Sequence, residues 1–460
     1  MTGRPHILAE MEKRLAGRMI SVSICPTKGD IIGYLRVKLG EDETPDTMNA
    51  SLEAEILEMI PANISEMCVG TMTLRTPFDD DPLIDRSRFL LVALNIEAIL
   101  QESTIYRRRE RLSRMTDGLG LGDAYRMTIE RIKMQSGDKS RLGMAALMWV
   151  SHAERPLSAD ELCHALAVEL GSTDFNGDNV PSMSTLVSCC QGLITIDKET
   201  STVRLIHFTL QEYLSALSNI FSRPHSAMAE ICLTYLNSKQ VKAIGAYSPH
   251  GASDIPFLGY YSVYWGVHAK KELSHCARSL TLELFLFPEY DCHISVKFLL
   301  KQVKIIRYWD FNADIGLSLS FSGLHCASFF GIVELVAALI EMEWCDINKR
   351  DILWHTPLAW AAHNGHEEVV KTLLKQEEIN PDKPNLMAMT PLLHAASNGH
   401  EGVVKILVGQ EEVNPYKPDY AGMTPLARAA QKGHPEVVNI LLVYQEANLD
   451  KPDTWGATLL

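Results

Sequence analysis

No Gly-Lys dipeptide occurs anywhere in the 460 residues. A phosphate-cradling loop of the G-x-x-x-x-G-K-[ST] type needs that pair, because its lysine and flanking backbone N–H groups hold the phosphates. The chain therefore has no such loop, and no apolar run ends in paired carboxylates that would hold magnesium. No C-x-x-C occurs among the ten cysteines. The adjacent pairs Cys163-His164, Cys292-His293 and His325-Cys326 lack the spacing that closes a tetrahedral zinc site. Cys189 and Cys190 are neighbours that do not easily bridge within regular structure, so reduced thiols in a reducing compartment are expected. No G-x-S-x-G elbow exists; Gly316 to Ser320 ends in Ser. Met1 to Arg14 holds no apolar core of a signal peptide. The longest apolar run, Phe89 to Leu100, contains Asn95 and Glu97 and is too short to span a bilayer. Positive charge is also short, with 43 Lys and Arg against 57 Asp and Glu, a net charge of −14. Residues 320–460 share that balance, with 10 basic against 18 acidic side chains. This acidity argues against a nucleic-acid or membrane partner. No cofactor is expected.

What is present is a period. Thr-Pro-Leu occurs at Thr356, Thr390 and Thr424, 34 residues apart. Each copy continues through a small pair (Ala361-Ala362, Ala395-Ala396, Ala429-Ala430), then Gly-His (Gly365-His366, Gly399-His400, Gly433-His434), then an apolar helix. Leu324, Ala327 and Gly331 make residues 322–350 a degenerate first unit, and Thr458 opens a fifth that the chain cuts short. Such a period marks stacked supersecondary units that cannot bury a core alone. The pattern resembles the ankyrin repeat, whose arrays bind proteins. The expected C-terminal edge lacks a polar cap, which implies a fragment, a covering partner, or self-association through that repeat.

Upstream, Ile20 to Ile24 alternates as a short strand would, and Asp46 to Ile60 places Leu52, Ile56, Leu57 and Ile60 on one helical face. Residues 70–86 read as a Pro/Asp-rich connection. Phe89 to Met115 reads as one long helical stretch, apolar first and then rich in Arg107, Arg108, Arg109, Arg111 and Arg114. Residues 142–215 have a helix–helix–helix–hairpin rhythm. Ser158 and Glu161 have capping-box spacing, Pro181-Ser182 open a third helix through Cys190, and Leu193–Ile196 with Val203–Phe208 form a hairpin. Three helices and a hairpin make a winged helix. Residues 216–318 read as a helical connector, with faces at Ala227–Leu236, Phe257–His268 and Val296–Tyr308.

Several segments together resemble the fungal NACHT–ankyrin proteins of the NOD-like (STAND) class. They are Thr2-Gly3-Arg4-Pro5-His6-Ile7, Glu154-Arg155-Pro156-Leu157 with Glu161-Leu162, and Leu205-Ile206-His207-Phe208-Thr209-Leu210-Gln211-Glu212-Tyr213-Leu214. The resemblance implies a chain that begins just after the nucleotide core. It would comprise a remnant of the core end (1–60), a helical subdomain (61–141), the winged helix (142–215), the connector (216–318) and about four ankyrin repeats with a fifth truncated (319–460). The expected fold is mostly α: winged helix plus helical connector, followed by an ankyrin solenoid. The expected function is non-catalytic protein recognition in the cytoplasm, with the nucleus as the alternative location. One rival is an incomplete nucleotide-controlled signalling NTPase whose P-loop lies upstream. Another is a winged-helix DNA binder, although Ser182 to Cys190 offers none of the Arg, Lys, Asn or Gln that reach phosphates and base edges.

In the NOD-like class the residue matching His207 contacts a nucleotide phosphate, a role that here requires a P-loop; the alternative is a structural histidine at a strand end. Arg4 matches a family arginine near the γ-phosphate and otherwise reads as solvated. Gly118, Gly120 and Gly122 follow a helix, so they read as a turn rather than a phosphate loop. The arginine run 107–114, with Glu110 inside it, reads as a solvated helix face. The remaining site is the ankyrin groove. The turns before Thr-Pro-Leu contribute Ile352, Leu353, His355, Leu386, Met387, Met389, Tyr420, Ala421 and Met423. The inner helices contribute Phe329, Phe330, His363, Asn364, Ser397, Asn398, Gln431 and Lys432. Apolar residues clustered on an exposed face mark a recognition surface, and methionines suit an adaptable one.

Overall fold

The computed structural model describes residues 28–42, 44–66, 92–115, 121–197, 199–217, 219–243, 256–286, 293–302 and 320–444. The expected strand at Ile20–Ile24, Arg4 and its motif, the 70–86 connection, Gly118 and Gly120, and the fifth repeat with its open edge lie outside these residues. The chain divides into two units, 1–166 with 180–222, and 167–179 with 223–460.

The first unit opens with α1 (Lys28–Gly40), which buries Ile31 and Leu35 one turn apart, and α2 (Ala50–Glu66), which buries Leu52, Ile56 and Ile60. Those are three of the four residues expected on that face, each stabilising by roughly 1.5–3 kcal/mol, while Leu57 is half-buried. The helix runs through the expected boundary at residue 60, so no break falls there. The stretch expected to be one helix is two: α3 (residues 92–100) and α4 (Ile105–Met115). Arg108 is the reason. Its side chain is fully buried, and its guanidinium donates to the Leu100 carbonyl (2.7 Å), the Glu102 carbonyl (3.0 Å) and Thr44 Oγ1 (2.8 Å). It also pairs with Asp42 at 2.6 Å. The last carbonyl of α3 and that of Glu102 in the link are thus taken by a side chain from the next helix, while Thr104 Oγ1 accepts from the Arg107 N–H and starts α4. The arginine run is therefore not one solvated face: Arg107 is exposed, Arg109 pairs with Glu55 at 3.0 Å, and Arg108 is core.

Helices α5 (Leu121–Lys133) and α6 (Lys139–His152) lead into the winged helix. Strand β1 (Leu157–Ser158) precedes α7 (Ala159–Ala167), α8 (Met183–Cys189), β2 (Ile194–Ile196), β3 (Thr202–Leu205) and α9 (Phe208–Ala216). The sheet is antiparallel in the order β1-β3-β2, with Leu157 opposite Val203 and Ile194 opposite Leu205. The capping box forms as the spacing predicts. Ser158 N donates to Glu161 Oε2 (2.9 Å), and Glu161 N donates to Ser158 Oγ (3.1 Å). Arg155 then grips the same carboxylate at 2.8 Å. Ser182 caps α8. β3 ends at Leu205, three residues before the predicted limit, because His207 starts a helix.

The second unit comprises α10 (Pro224–Leu236), α11 (Lys239–Lys242), α12 (Leu258–Lys271), α13 (His275–Phe285) and α14 (Ile294–Gln302), followed by four helix pairs. The loop 167–179 belongs here because the Thr173 and Phe175 carbonyls accept from Lys239 N (3.2 Å) and Gln240 Nε2 (3.0 Å), and Phe175 meets Tyr235 edge-on at 5.2 Å. The winged-helix block is accordingly discontinuous. The pairs are α15 (Gly323–Phe330) with α16 (Val333–Ile340), α17 (Pro357–His363) with α18 (Glu367–Leu374), α19 (Pro391–Ser397) with α20 (Glu401–Val408), and α21 (Pro425–Lys432) with α22 (Pro435–Tyr444). Thr356, Thr390 and Thr424 cap the inner helices, and Pro follows each at the first helical position, where its missing N–H costs nothing.

The connector covers the first pair. Trp265 packs against Phe330 with ring centroids 5.1 Å apart, and an added Cβ at Gly266 would overlap that ring. Gly323 is equally tight against Phe285. This supplies the apolar end face of a solenoid with a cap.

Candidate functional site

The array carries the candidate surface, and its turns are built by one repeated device. Asp351 Oδ1 accepts from Leu353 N (2.9 Å) and His355 N (2.8 Å); Asn385 Oδ1 accepts from Met387 N (2.8 Å) and Met389 N (2.9 Å); Asp419 Oδ1 accepts from Ala421 N (2.9 Å) and Met423 N (3.0 Å). These three side chains point inward and are nearly inaccessible. The other oxygen of Asp351 takes the Trp360 indole N–H at 2.9 Å, and that of Asp419 takes Arg428 Nε at 2.6 Å. Burial works to raise the Asp351 carboxyl, but hydrogen bonding and charge from His355 and the Trp360 N–H outweigh it and hold it below the usual range. Neighbouring tips are joined directly: Leu386 N donates to the Leu353 carbonyl and Tyr420 N to the Met387 carbonyl, both at 3.1 Å. The tips therefore form one continuous row.

The side chains projecting from that row are large and apolar. Met387 is 63% exposed and Tyr420 74%. Ile352, Leu353, Leu386, Met389, Ala421 and Met423 are half-buried beside them. Trp354 joins them, 47% exposed, and sequence reasoning passed over it. A signal was available: Trp354 stands 34 residues before Ala388 and 68 before Gly422. All three occupy a left-handed backbone position, with φ of 64°, 55° and 76°. A bulky residue there costs of order 1–3 kcal/mol, so an exposed tryptophan in that place is conspicuous.

Two of the expected groove residues are not on the surface. Phe330 is buried against Trp265, and His355 is 7% exposed, with Nε2 2.9 Å from Asn385 Nδ2. Their repeat positions are exposed only when no neighbour covers them, and here α12 and the next turn do so. Others divide their roles. Asn364 Nδ2 donates to the Phe329 carbonyl (3.1 Å) and Asn398 Nδ2 to the His363 carbonyl (3.0 Å), stitching each unit to the one before. Phe329 is half-buried on Trp360, ring centroids 5.4 Å apart. Gln431 accepts from Arg428 at 3.0 Å and is exposed, as is Lys432; Ser397 is half-buried.

A line of histidines backs this face. His325 receives the Ser322 N–H on Nδ1 (3.0 Å) and lies 3.1 Å from the His355 carbonyl through Nε2, so it is held neutral. Burial pushes it down to about 4. His363 falls to about 4 for the same leading reason, with His355 and His400 adding repulsion, and burial also holds His394 well below the usual imidazole range. With both ring nitrogens engaged, His325 has none left for a metal beside Cys326. His164 meets its own helix at the Asp160 carbonyl (2.8 Å), while burial lifts the Cys163 thiol to about 11.

His207 is the N-cap of α9 rather than a strand end. Its Nδ1 lies 3.3 Å from the Thr209 N–H and 2.9 Å from Thr209 Oγ1, which in turn meets Tyr125 Oη at 2.8 Å. That nitrogen serves the helix start. On α8, the exposed side chains are Ser184, Thr185 and Ser188.

Two family models match the chain. The GPI inositol-deacylase winged helix domain matches residues 129–223, and ankyrin repeats (3 copies) match residues 290–385 and 378–453. The first begins within α5, upstream of the expected boundary at 142. The second takes in α14, which lies in the segment read as connector. No curated protein matches the chain. The molecule is thus a mostly helical protein with a winged helix domain and ankyrin repeats. Among the described residues no helix is long and apolar enough to cross a membrane.

Proposed function

We propose that the chain is a non-catalytic protein-recognition and scaffold protein of the NOD-like signalling type found in fungi, working in the cytoplasm, with the row of ankyrin turns as its binding face. The observation that carries this reading is the row itself: Trp354, Met387 and Tyr420 stand exposed on three turns that the backbone ties into one line. Exposed aromatic and methionine side chains on a rigid mount are the composition of interface hot spots. Ankyrin repeats support a protein partner in general, and the acidic balance of the chain favours protein over nucleic acid. The nucleotide-switch reading rests on a P-loop upstream of these residues; within them, His207 Nδ1 meets the Thr209 N–H at 3.3 Å as a helix cap.

A photo-crosslinking amino acid placed at Met387, and at Glu368 on an outer helix for comparison, tests the reading in cells. The reading expects protein adducts from position 387 that disappear with Trp354→Ala and are absent from 368. Equal adducts from both positions would refute it.

A further inference from the structure

The four inner helices contain no Asp or Glu, whereas the outer helices begin on Glu334, Glu367, Glu368, Glu401 and Glu436. The turn acids Asp351 and Asp419 are 3% and 5% exposed and are consumed by the turns. So the inner helices and the turn tips 351–356, 385–390 and 419–424 present no accessible carboxylate, although the array as a whole is acidic; of the acids just before the tips, Asp382 pairs with Lys417 at 2.8 Å and Asp346 is exposed. Its cations remain. Lys432 is exposed, and the Arg350 guanidinium lies 4.8 Å from the Trp354 ring centroid. Arg350 makes one long hydrogen bond, 3.4 Å to the Pro384 carbonyl, while its Nε–H is buried without an acceptor. It has no ion pair among the described residues. A guanidinium has five N–H donors in a planar fork that fits a carboxylate, and stacking on an indole fixes that plane.

We propose that this face binds a linear acidic peptide segment of a partner protein, one carboxylate pairing with Arg350 and apolar side chains resting on Trp354, Met387 and Tyr420. This names the partner chemistry of the recognition face proposed above and rests on that reading. An acidic segment is repelled by the outer helices and meets no opposing carboxylate on the inner face, so charge selects the side as well as the ligand. Replacing the carboxylate by an amine would leave Arg350 facing a like charge, which interfaces use to reject wrong partners.

The probe is a display library of random twelve-residue peptides, panned on the full chain and in parallel on full-length Arg350→Glu. The wild-type chain is expected to enrich Asp or Glu beside aromatic and aliphatic residues. Arg350→Glu is expected to switch the enriched charge to Lys or Arg. A fluorescent copy of the strongest wild-type peptide should lose about tenfold in affinity on Trp354→Ala or Met387→Ser, both at exposed positions. Enrichment of basic or uncharged peptides, or an unchanged preference on Arg350→Glu, overturns the acidic-ligand inference and leaves the face intact. Peptides that bind Trp354→Ala and Met387→Ser as well as wild type, or no enrichment at all, overturn the face itself. Tighter binding of a labelled single-stranded RNA twelve-mer at these same residues overturns both.

Discussion

The stacking of repeat on repeat makes a sharp test through two glycines. Gly365 and Gly433 occupy equivalent positions with φ of 73° and 78°. A Cβ costs about 1–2 kcal/mol in that conformation, partly offset by about 0.4–1 kcal/mol from a stiffer unfolded chain. Gly433→Ala should therefore destabilise by about 1 kcal/mol or less, since nothing described lies within 4 Å of its added methyl group. At Gly365 the methyl group would lie 2.6 Å from Nδ1 of His400, the ring of the following unit. That ring is held by a 2.8 Å hydrogen bond from Nε2 to the His363 carbonyl. Displacing it strips that carbonyl of one of its two donors, leaving Asn398 Nδ2 at 3.0 Å, and overpacks the joint, together about 2–4 kcal/mol beyond the backbone term. Urea unfolding followed by circular dichroism should show Gly365→Ala with a far lower midpoint than Gly433→Ala. In a Gly365→Ala/His400→Ala double variant much of the extra cost should vanish, because the two changes remove the same contact. Equal midpoints for the two single variants would refute the idea that the Gly–His seat holds neighbouring units together.

Three other outcomes are expected. Arg108→Leu should cost about 3–5 kcal/mol, because Asp42 loses the opposite charge beside it, keeping only its hydrogen bonds from Thr44, and the Leu100 and Glu102 carbonyls lose their donor; a melting curve like that of wild type would show that the break between α3 and α4 forms without it. Leu407→Asp places a carboxylate at a fully buried joint and should unfold at least two repeat units, read as lost helical circular dichroism. The array should also be acid-labile. Burial depresses the folded-state values of His325, His363 and His366 to about 4 from the ordinary 6.5, so between those values the unfolded chain binds more protons and stability falls as pH falls. For fully buried His325 alone this reaches roughly 3 kcal/mol by pH 4, and a melting temperature flat between pH 7 and pH 4.5 would contradict it.

The repeats were legible because their signal is local and periodic: threonine caps, proline at the first helical position and glycine past the end recur every 34 residues. The winged helix was legible for the same kind of reason, through Ser158 with Glu161 and through Ser182. What escaped was set by distant partners. The end of α3 depends on Asp42 meeting Arg108 across 66 positions of sequence, which no pattern within Phe89–Met115 reveals. α1 buries only Ile31 and Leu35, too few to mark a helical face, and α13 lay in the segment where only three helices were expected. Within the candidate site, Phe330 and His355 sit at surface positions of the repeat and are covered by a neighbouring element. Trp354 was passed over because its repeat equivalents, Ala388 and Gly422, are small and give no apolar pattern at that position.

Hydrogen–deuterium exchange of the full chain with and without its cross-linked partner protein tests the central claim most directly. Exchange should slow at residues 350–357, 384–391 and 418–425, with the outer helices α18 and α20 unchanged. Protection confined to the outer helices or to the winged helix, with the turns unaffected, would contradict it.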